Sequence, residues 1–340
     1  MSERTVLVTG ISGFIAKHCA LELLRAGYRV RGTVRSRDKG EQVRATLARH
    51  ADVGHLDFCE ADLLADEGWA AAMRGVDGVL HLASPFPLKE PRHPDELLKP
   101  AIEGTLRVLK AAAEVGVPRL VQTSSMASVL YGHPQDRTAP FTEEDWTDAD
   151  APRVSSYARS KTLAERAARD FVARHAPGLH YASVNPGFVQ GPLLDGVYGS
   201  SAEAILMFLR GKYPGCPKLS FPVVDVRDVA RMHRLALETS EPSGGRYLAV
   251  AGTAWFVDMM RPIKAELGAA ARKVPGFELP SFLVRLIALV DADARAIAPD
   301  LEHRFVVDNS RTRKALEMDF IPVEQSAPAM ARSLVELGLV

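Results

Sequence analysis

Apolar and polar positions along the first half of the chain switch repeatedly between strand-like and helix-like periods. Thr5–Thr9 is a short, mostly apolar run that reads as a strand. Gly13–Ala26 follows with apolar residues at helical spacing and stops at Gly27. Tyr28–Arg35 predicts a second strand, and Lys39–Arg49 a helix. Further strands are predicted at Leu56–Glu60, Gly78–Leu82 and Arg119–Thr123, with a helix over Glu103–Glu114 that ends at Gly116 and Pro118. Ser155–His175 reads as a long helix and His180–Asn185 as the next strand. Strands separated by helices imply parallel pairing through right-handed crossovers, so the expected fold class is α/β with a doubly wound parallel sheet.

The alternation fades after Pro186, and prolines and glycines punctuate Pro186–Pro222. Val224–Glu238 predicts a helix after a short strand, Tyr247–Ala251 another strand, and the remainder to Val340 is mostly helical. The pattern therefore predicts a main sheet domain from 1–186 and 224–251. A smaller, discontinuous, mostly helical lobe is expected from 187–223 and 252–340, holding the substrate. Phe282–Val290 is too short to span a bilayer and carries Arg285, so it is read as a core helix.

Composition narrows the class. Hydrophobic residues at 47% and charged residues at 25% exclude a disordered chain, and 340 residues suit one large α/β domain or a domain plus a smaller companion. Lys+Arg 42 against Asp+Glu 42 asks for neither nucleic acid nor an anionic membrane. Cys19, Cys59 and Cys216 form no paired motif, which suits small buried side chains in a reducing cytoplasm. The histidines show no metal-binding spacing, so no metal is expected, and the strand-like start at Thr5 leaves no room for a signal peptide.

Three motifs carry chemistry. The first, Gly10-Ile-Ser12-Gly13-Phe14-Ile15-Ala16, follows a strand and opens a helix. That context suits a dinucleotide: Gly10 makes the tight turn, Gly13 admits the pyrophosphate to the helix N-terminus, and Ala16 permits close packing. The second is Val34-Arg35-Ser36-Arg37 at the end of the next strand. A guanidinium there suits a 2′-phosphate, so NADP(H) is favoured over NAD, with Lys39 or Arg37 as a second contact. Asp38-x-x-Glu41 reads as a capping box for the following helix. The third is Tyr157-x-x-x-Lys161, two residues on one helical face. An ammonium beside a phenol is expected to lower the phenol's pKa and ready it for proton transfer. Upstream, Ser124 and Ser125 both stand where a strand's C-terminal end meets the cofactor crevice, and either hydroxyl could hold a substrate oxygen.

Together these motifs resemble the extended short-chain dehydrogenase/reductases, and within them the dihydroflavonol reductase-like group with its cinnamoyl-CoA reductase and microbial aldehyde and ketone reductase relatives. The resemblance also rests on Gly32-Thr-Val-Arg35, Asp62-Leu63, His81-Leu-Ala-Ser-Pro85, Thr162-Leu-Ala-Glu165, Asn185-Pro-Gly187 and Val224–Ala230. It implies a Rossmann domain and catalytic Ser125, Tyr157 and Lys161, with Lys161 also on the nicotinamide ribose. It places Asp62 and Leu63 at the adenine, Leu82, Ala83 and Ser84 beside the cofactor ribose, and Pro186, Gly187 and Val189 around the nicotinamide. The implied activity is NADPH-dependent reduction of an aldehyde or ketone, reversible to alcohol oxidation, by a monomer or homodimer.

Departures from the resemblance narrow the substrate. Leu130 stands where plant flavonoid reductases carry a ligand-binding asparagine, and Arg153-Val-Ser-Ser-Tyr157 replaces the cinnamoyl-CoA reductase run before the tyrosine. Met126-Ala127 replaces the acidic pair of sugar-nucleotide dehydratases. Phe86, Tyr131, Tyr198, Met207 and Phe208 are candidates for packing or for an apolar pocket, which would suit a substrate with an apolar or aromatic portion. Glu143-Glu144-Asp145 reads as a solvated loop, and His81 as a hydrogen-bonded strand end. The rival readings are a sugar-nucleotide epimerase, against which Arg35 argues, and a non-catalytic NADP sensor, which would not need Ser125, Tyr157 and Lys161 together.

Overall fold

The structure, a computed structural model, describes residues 4–84, 93, 95–134 and 136–340. Pro85 and Phe86 lie outside the described residues.

The first half folds as alternating strands and helices. In chain order these are β1 (Thr5–Thr9), α1 (Phe14–Arg25), β2 (Arg29–Val34), α2 (Arg37–Leu47), β3 (Leu56–Glu60), α3 (Trp69–Met73), β4 (Gly78–His81), α4 (Asp95–Val115), β5 (Arg119–Thr123), α5 (Ser156–His175) and β6 (His180–Pro186). The later elements are β7 (Phe188–Gln190), α6 (Ser200–Leu209), β8 (Ser220–Asp225), α7 (Val226–Glu238), β9 (Gly245–Ala249), β10 (Gly252–Trp255), α8 (Phe256–Leu267), α9 (Ser281–Ile287), α10 (Ala292–Ile297), α11 (Ser310–Leu316) and α12 (Val323–Glu336).

The chain divides into two compact units. The first comprises 1–186, 227–249 and 309–319. Its sheet has the order β3-β2-β1-β4-β5-β6-β9, every pair parallel. The order reverses direction at β1, so the crevice beyond the C-terminal ends of β1 and β4 is a topological switch point. Strands buried on both faces need apolar runs, and Val6, Leu7, Val8, Val79 and Leu80 are almost wholly buried. A core of Leu7, Val79, Leu120 and Tyr181 packs against Trp69, Val108, Leu109 and Ala112 of the flanking helices. Residues 309–319 belong to this unit rather than to the second lobe, and the Thr312 hydroxyl accepts from the Leu248 amide at 2.9 Å.

The second unit comprises 187–226, 250–308 and 320–340. It holds a small sheet, β10-β8-β7, with β10 antiparallel and β7 parallel to β8. The helix α6 was not legible in a stretch punctuated by prolines and glycines, nor the strand β10 in one read as mostly helical. Phe208 packs on Phe256 and Tyr213 with ring centroids 4.9 and 5.1 Å apart, so it belongs to this unit's aromatic core.

Three local expectations are corrected. Helix α2 begins at Arg37 with Ser36 as its N-cap, so Asp38 sits inside the first turn and forms no capping box; its charge favours the helix N-terminus instead. Helix α4 begins at Asp95 and runs through Pro100, eight residues before the predicted start. The proline removes one backbone bond near the helix start, where the helix tolerates it. The stretch 282–290 is not a core helix: Phe282, Leu286, Leu289 and Val290 are 61%, 57%, 73% and 87% exposed, and only Val284 and Ala288 face inward. No helix among the described residues is long and apolar enough to cross a membrane.

Candidate active site

The ends of β1 and β4 are joined by one hydroxyl. Thr9 Oγ1 accepts from the amides of Leu82 and Ala83 at 3.0 and 2.9 Å and lies 2.9 Å from His81 Nδ1. With two amides already on the oxygen, the Thr9 hydroxyl donates to the imidazole. Burial, with the Lys161 charge adding to it, pushes His81 down to about 3, which keeps it neutral and able to accept. His81 is thus a structural strand end, as its position suggested. Thr9 was not singled out from sequence, and its only signal was its place beside Gly10.

Gly10 turns the chain from β1 to α1 at φ +61°, the left-handed region that favours glycine. Its amide donates to Thr33 Oγ1 at 2.9 Å and its carbonyl accepts from Gly13 at 2.9 Å. A Cβ at Gly10 would stand 3.0 Å from Cα of Ala83. Gly13 is the N-cap of α1, its own amide bonded to Gly10, and no side chain caps the helix, so the first-turn amides of Phe14 and Ile15 follow it without a cap, just after Ser12. A hydroxyl at residue 33 and a bare Cα at Gly32 complete the turn, because a Cβ at Gly32 would lie 2.6 Å from Ile11.

At the end of β2, Arg35 is exposed and has no partner among the described residues. Its neighbours are engaged: Arg37 lies 3.9 Å from Glu60, and Lys39 donates to Gln42 at 3.1 Å. Beyond β3, Asp62 Oδ1 accepts from the Leu64 amide at 2.9 Å, which shapes the turn carrying Leu63. The Leu63 carbonyl accepts from Arg107.

Ser125, Tyr157 and Lys161 come together at the ends of β4 and β5 and the first turns of α5. Ser125 caps a short 3₁₀ turn over Met126–Ser128, its Oγ accepting from the Ala127 amide at 3.1 Å. Its side chain is also hydrogen-bonded to Tyr157. Helix α5 is capped by Ser155, whose Oγ accepts from the Ala158 amide at 3.2 Å, so Tyr157 and Lys161 both lie within its first two turns. Lys161 Nζ donates to Ser84 Oγ at 3.1 Å and stands 5.8 Å from the Tyr157 ring centroid. Tyr131 and Tyr157 each pack against the cluster of Ala127, Val154 and Ala158.

The electrostatics correct one expectation. Burial raises the Tyr157 pKa and the Ser125 hydrogen bond only partly opposes it. The Lys161 ammonium, which donates to Ser84 and stands 5.8 Å from the ring centroid, does not offset that burial in the cofactor-free protein. Burial pushes Lys161 itself down to about 8, against the charge of Glu165.

The two adjacent serines are distinguished by their partners. Ser124 Oγ donates to Glu165 Oε2 at 2.6 Å, in a buried network with Ser128, Asn185 and Arg246. Ser125 alone of the pair is bonded to Tyr157. Sequence reasoning missed this network, although Glu165 lies four residues beyond Lys161 on α5.

The remaining candidates are placed as follows. Pro186 ends β6, and its neighbours Gly187 and Val189 fall in the second unit. A Cβ at Gly187 would collide with the Pro222 carbonyl oxygen at 2.2 Å. Leu130 is buried. The acidic loop is not a solvated face: Glu143 and Asp145 side chains are only 12% and 18% exposed, and only Glu144 is open. Burial would raise Asp145, but the paired Arg137 and the Thr142 amide hold it below the usual carboxylate range.

The family model of the NAD dependent epimerase/dehydratase family matches residues 6–249. The chain is 34% identical to the ketoreductase azaE of Aspergillus niger, over 98% of each chain. It is also 34% identical to cinnamoyl-CoA reductase CAD2 of Medicago truncatula, over 97% of this chain and 95% of that protein. Among solved structures, Gre2 of Candida albicans in complex with NADPH has a TM-score of 0.82 at 27% identity, covering 98% and 99% of the two chains. The fold is also that of the yeast methylglyoxal/isovaleraldehyde reductase Gre2 complexed with NADPH, with a TM-score of 0.82 at 24% identity over 99% and 100% of the chains. The chain belongs to the NAD dependent epimerase/dehydratase family. Within that family its relatives include cinnamoyl-CoA reductases and a ketoreductase, the groups to which the motifs pointed.

Proposed function

We propose that this protein is an NADPH-dependent carbonyl reductase, reducing an aldehyde or ketone and, in reverse, oxidising the alcohol. The observation that carries the reading is the assembly of Ser125, Tyr157 and Lys161 at one site, with Ser125 bonded to Tyr157 and Lys161 anchored to Ser84. Relatives named for reduction of ketones and cinnamoyl-CoA support the same chemistry.

The residues present fit a dinucleotide. Bare Gly10, where a Cβ would crowd Ala83, and the uncapped first-turn amides after Gly13 leave room and donors for a pyrophosphate at a helix N-terminus. Gly10, Ser12, Gly13, Phe14 and Ile15 would hold it. Arg35 would bind the 2′-phosphate, with Lys39 as support. Asp62 and Leu63 would meet the adenine, Leu82, Ala83 and Ser84 the adjoining ribose, and Tyr157 and Lys161 the nicotinamide ribose. Pro186, Gly187 and Val189 would flank the nicotinamide.

When bound, NADPH supplies the hydride that reduces the carbonyl carbon. The chain supplies orientation and a proton. The Ser125 hydroxyl orients the carbonyl oxygen, and the Tyr157 phenol gives that oxygen its proton. A raised phenol pKa keeps Tyr157 protonated at neutral pH, the form an acid needs, so the described state favours reduction. The Lys161 ammonium offsets the negative charge left on the phenolate. Tyr131, packed on the same apolar cluster as Tyr157, favours a substrate with an apolar or aromatic portion.

The test is loss of NADPH absorbance with aromatic ketones, aldehydes and keto esters. Turnover of at least one class supports the reading. Stoichiometric NAD surviving gel filtration, with no carbonyl reduced, would support the epimerase instead, because an enzyme that regenerates its cofactor in place can retain it.

A further inference from the structure

Glu165 is wholly buried, yet its carboxylate is surrounded by donors. Oε2 accepts from Ser124 Oγ at 2.6 Å, Ser128 Oγ at 2.8 Å and Asn185 Nδ2 at 2.8 Å. Oε1 accepts from Ser183 Oγ at 2.8 Å, Arg246 Nε at 2.8 Å and Arg169 Nε at 3.3 Å. Arg246 reaches on to the carbonyls of Ser128, Glu143 and Asp145, and its guanidinium lies 3.7 Å from the Trp146 ring centroid. The donors to Glu165 thus come from the segment after β5, from β6, from β9 and from α5 itself.

Stability alone does not call for such a hub, because apolar packing is often as stable as a buried ion pair. Two observations tie it to the reaction site instead. First, two of these residues also meet the backbone of Ser125: Asn185 Nδ2 reaches its carbonyl at 3.4 Å, and Ser128 Oγ, whose single proton serves Glu165 or this carbonyl in turn, lies 2.8 Å from it. Second, Glu165 lies one helical turn beyond Lys161, and its charge supports the ammonium against burial.

We propose that Glu165 is a positioning residue for the reduction: it fixes the Ser125 backbone, takes up the Ser124 hydroxyl so that Ser125 alone serves Tyr157, and sets its charge beside the Lys161 ammonium. This rests on the carbonyl reductase reading above. The groups facing Lys161 are Tyr157 and Glu165 on α5, His81 on β4, held neutral, and Ser84. The groups facing Glu165 are Lys161 and Arg169 on α5, Arg246 on β9 and Tyr181 on β6. The sign follows from them. Lys161 must be charged, so activity falls as pH rises through its pKa, near 8 in the cofactor-free protein. Glu165→Gln removes the supporting anion and leaves Arg169 and Arg246 uncompensated, and both changes lower that pKa.

The experiment measures NADPH affinity by fluorescence and kcat for carbonyl reduction, each across pH, in the full-length protein and in Glu165→Gln. The alkaline limb of both profiles is expected to move down by at least about half a pH unit. At neutral pH kcat should fall roughly ten-fold or more, with KM changed less than about two-fold. A variant with wild-type near-UV circular dichroism and unmoved limbs would overturn the proposal. Should Glu165→Gln not fold, Arg169→Gln answers the same question. Arg169 stands at the rim of the network, 22% exposed, and its loss unmasks the Glu165 charge, so the limbs should move up. Unmoved limbs in that folded variant would equally overturn the idea. A wild-type protein that reduces no carbonyl strikes the reductase reading alone, since the NADPH titration needs no substrate and still decides on Glu165.

Discussion

The Ser124 hydroxyl donates to the buried Glu165 carboxylate at 2.6 Å, and this bond withdraws it from the reaction site. Ser125, the next residue, is the one bonded to Tyr157. Ser125→Ala should therefore lower kcat by about 10- to 100-fold through lost orientation of the carbonyl. Ser124→Ala should cost less than about three-fold in kcat. It should instead lower stability by about 1–3 kcal/mol, the usual result of depriving a buried carboxylate of one donor. Steady-state kinetics and denaturant unfolding on both variants test the pair, and a larger kcat loss in Ser124→Ala would reverse the assignment.

The sequence made the sheet legible because its strands obey local rules. Leu56–Glu60 and Arg119–Thr123 are short runs with apolar residues at their centres or ends, following Gly54 and Pro118, and both fold where predicted. The glycine turn was legible for the same reason, since a positive φ at Gly10 is a local demand. What stayed hidden depends on partners distant in sequence. Glu165 meets Arg246 across 81 residues, and Thr9 meets Ala83 across 74. The Tyr157–Lys161 spacing correctly placed both on one helical face. It could not show that burial would outweigh the ammonium and raise the phenol's pKa, or that Ser84, from another strand end, would accept from Lys161. The stretch 282–290 misled for a related reason: hydropathy suggests burial, but only a packed neighbour provides it.

Gly10→Ala should damage cofactor binding more than folding. A left-handed φ costs a non-glycine residue about 1–2 kcal/mol, and the added methyl would meet Ala83 at 3.0 Å. Backbone displaced there also shifts the Gly13 amide that Gly10 bonds. NADPH affinity is expected to fall at least ten-fold, roughly the effect of losing one charge-assisted bond. Calorimetric titration and thermal melts read the two effects separately, and unchanged affinity would show that the turn does not meet the cofactor.

Cofactor choice should rest on Arg35. It is exposed at the end of β2 with no partner among the described residues, whereas Arg37 is near Glu60 and Lys39 is bonded to Gln42. A hydrogen bond to a charged group contributes about 1.5–3 kcal/mol. NADPH should then exceed NADH in kcat/KM by at least about ten-fold, and Arg35→Asp should shrink or reverse that ratio. Lys39→Ala and Arg37→Ala should change it less. Equal kcat/KM for the two cofactors in the wild-type protein would remove Arg35 from the role.

Tyr157→Phe tests the proton donor itself. The substitution keeps the ring that packs against Ala127, Val154 and Ala158, so the folded structure should persist. It removes the hydroxyl that Ser125 contacts and with it the transferable proton. General acid catalysis contributes about 10²–10⁴-fold, and the proton is needed in the transition state rather than for binding. The loss should therefore fall on kcat and kcat/KM together, with NADPH affinity nearly unchanged. Lys161→Ala should differ, because the ammonium is proposed to meet both the cofactor and the phenol, so affinity and kcat should fall together. The two variants should also differ in pH dependence. In the wild type, the alkaline loss of activity is expected as Lys161, near 8 in the cofactor-free protein, gives up its proton. In Lys161→Ala that limb should vanish. Retention of more than about a tenth of wild-type kcat by Tyr157→Phe, with the chemical step rate-limiting, would mean that another group protonates the carbonyl oxygen.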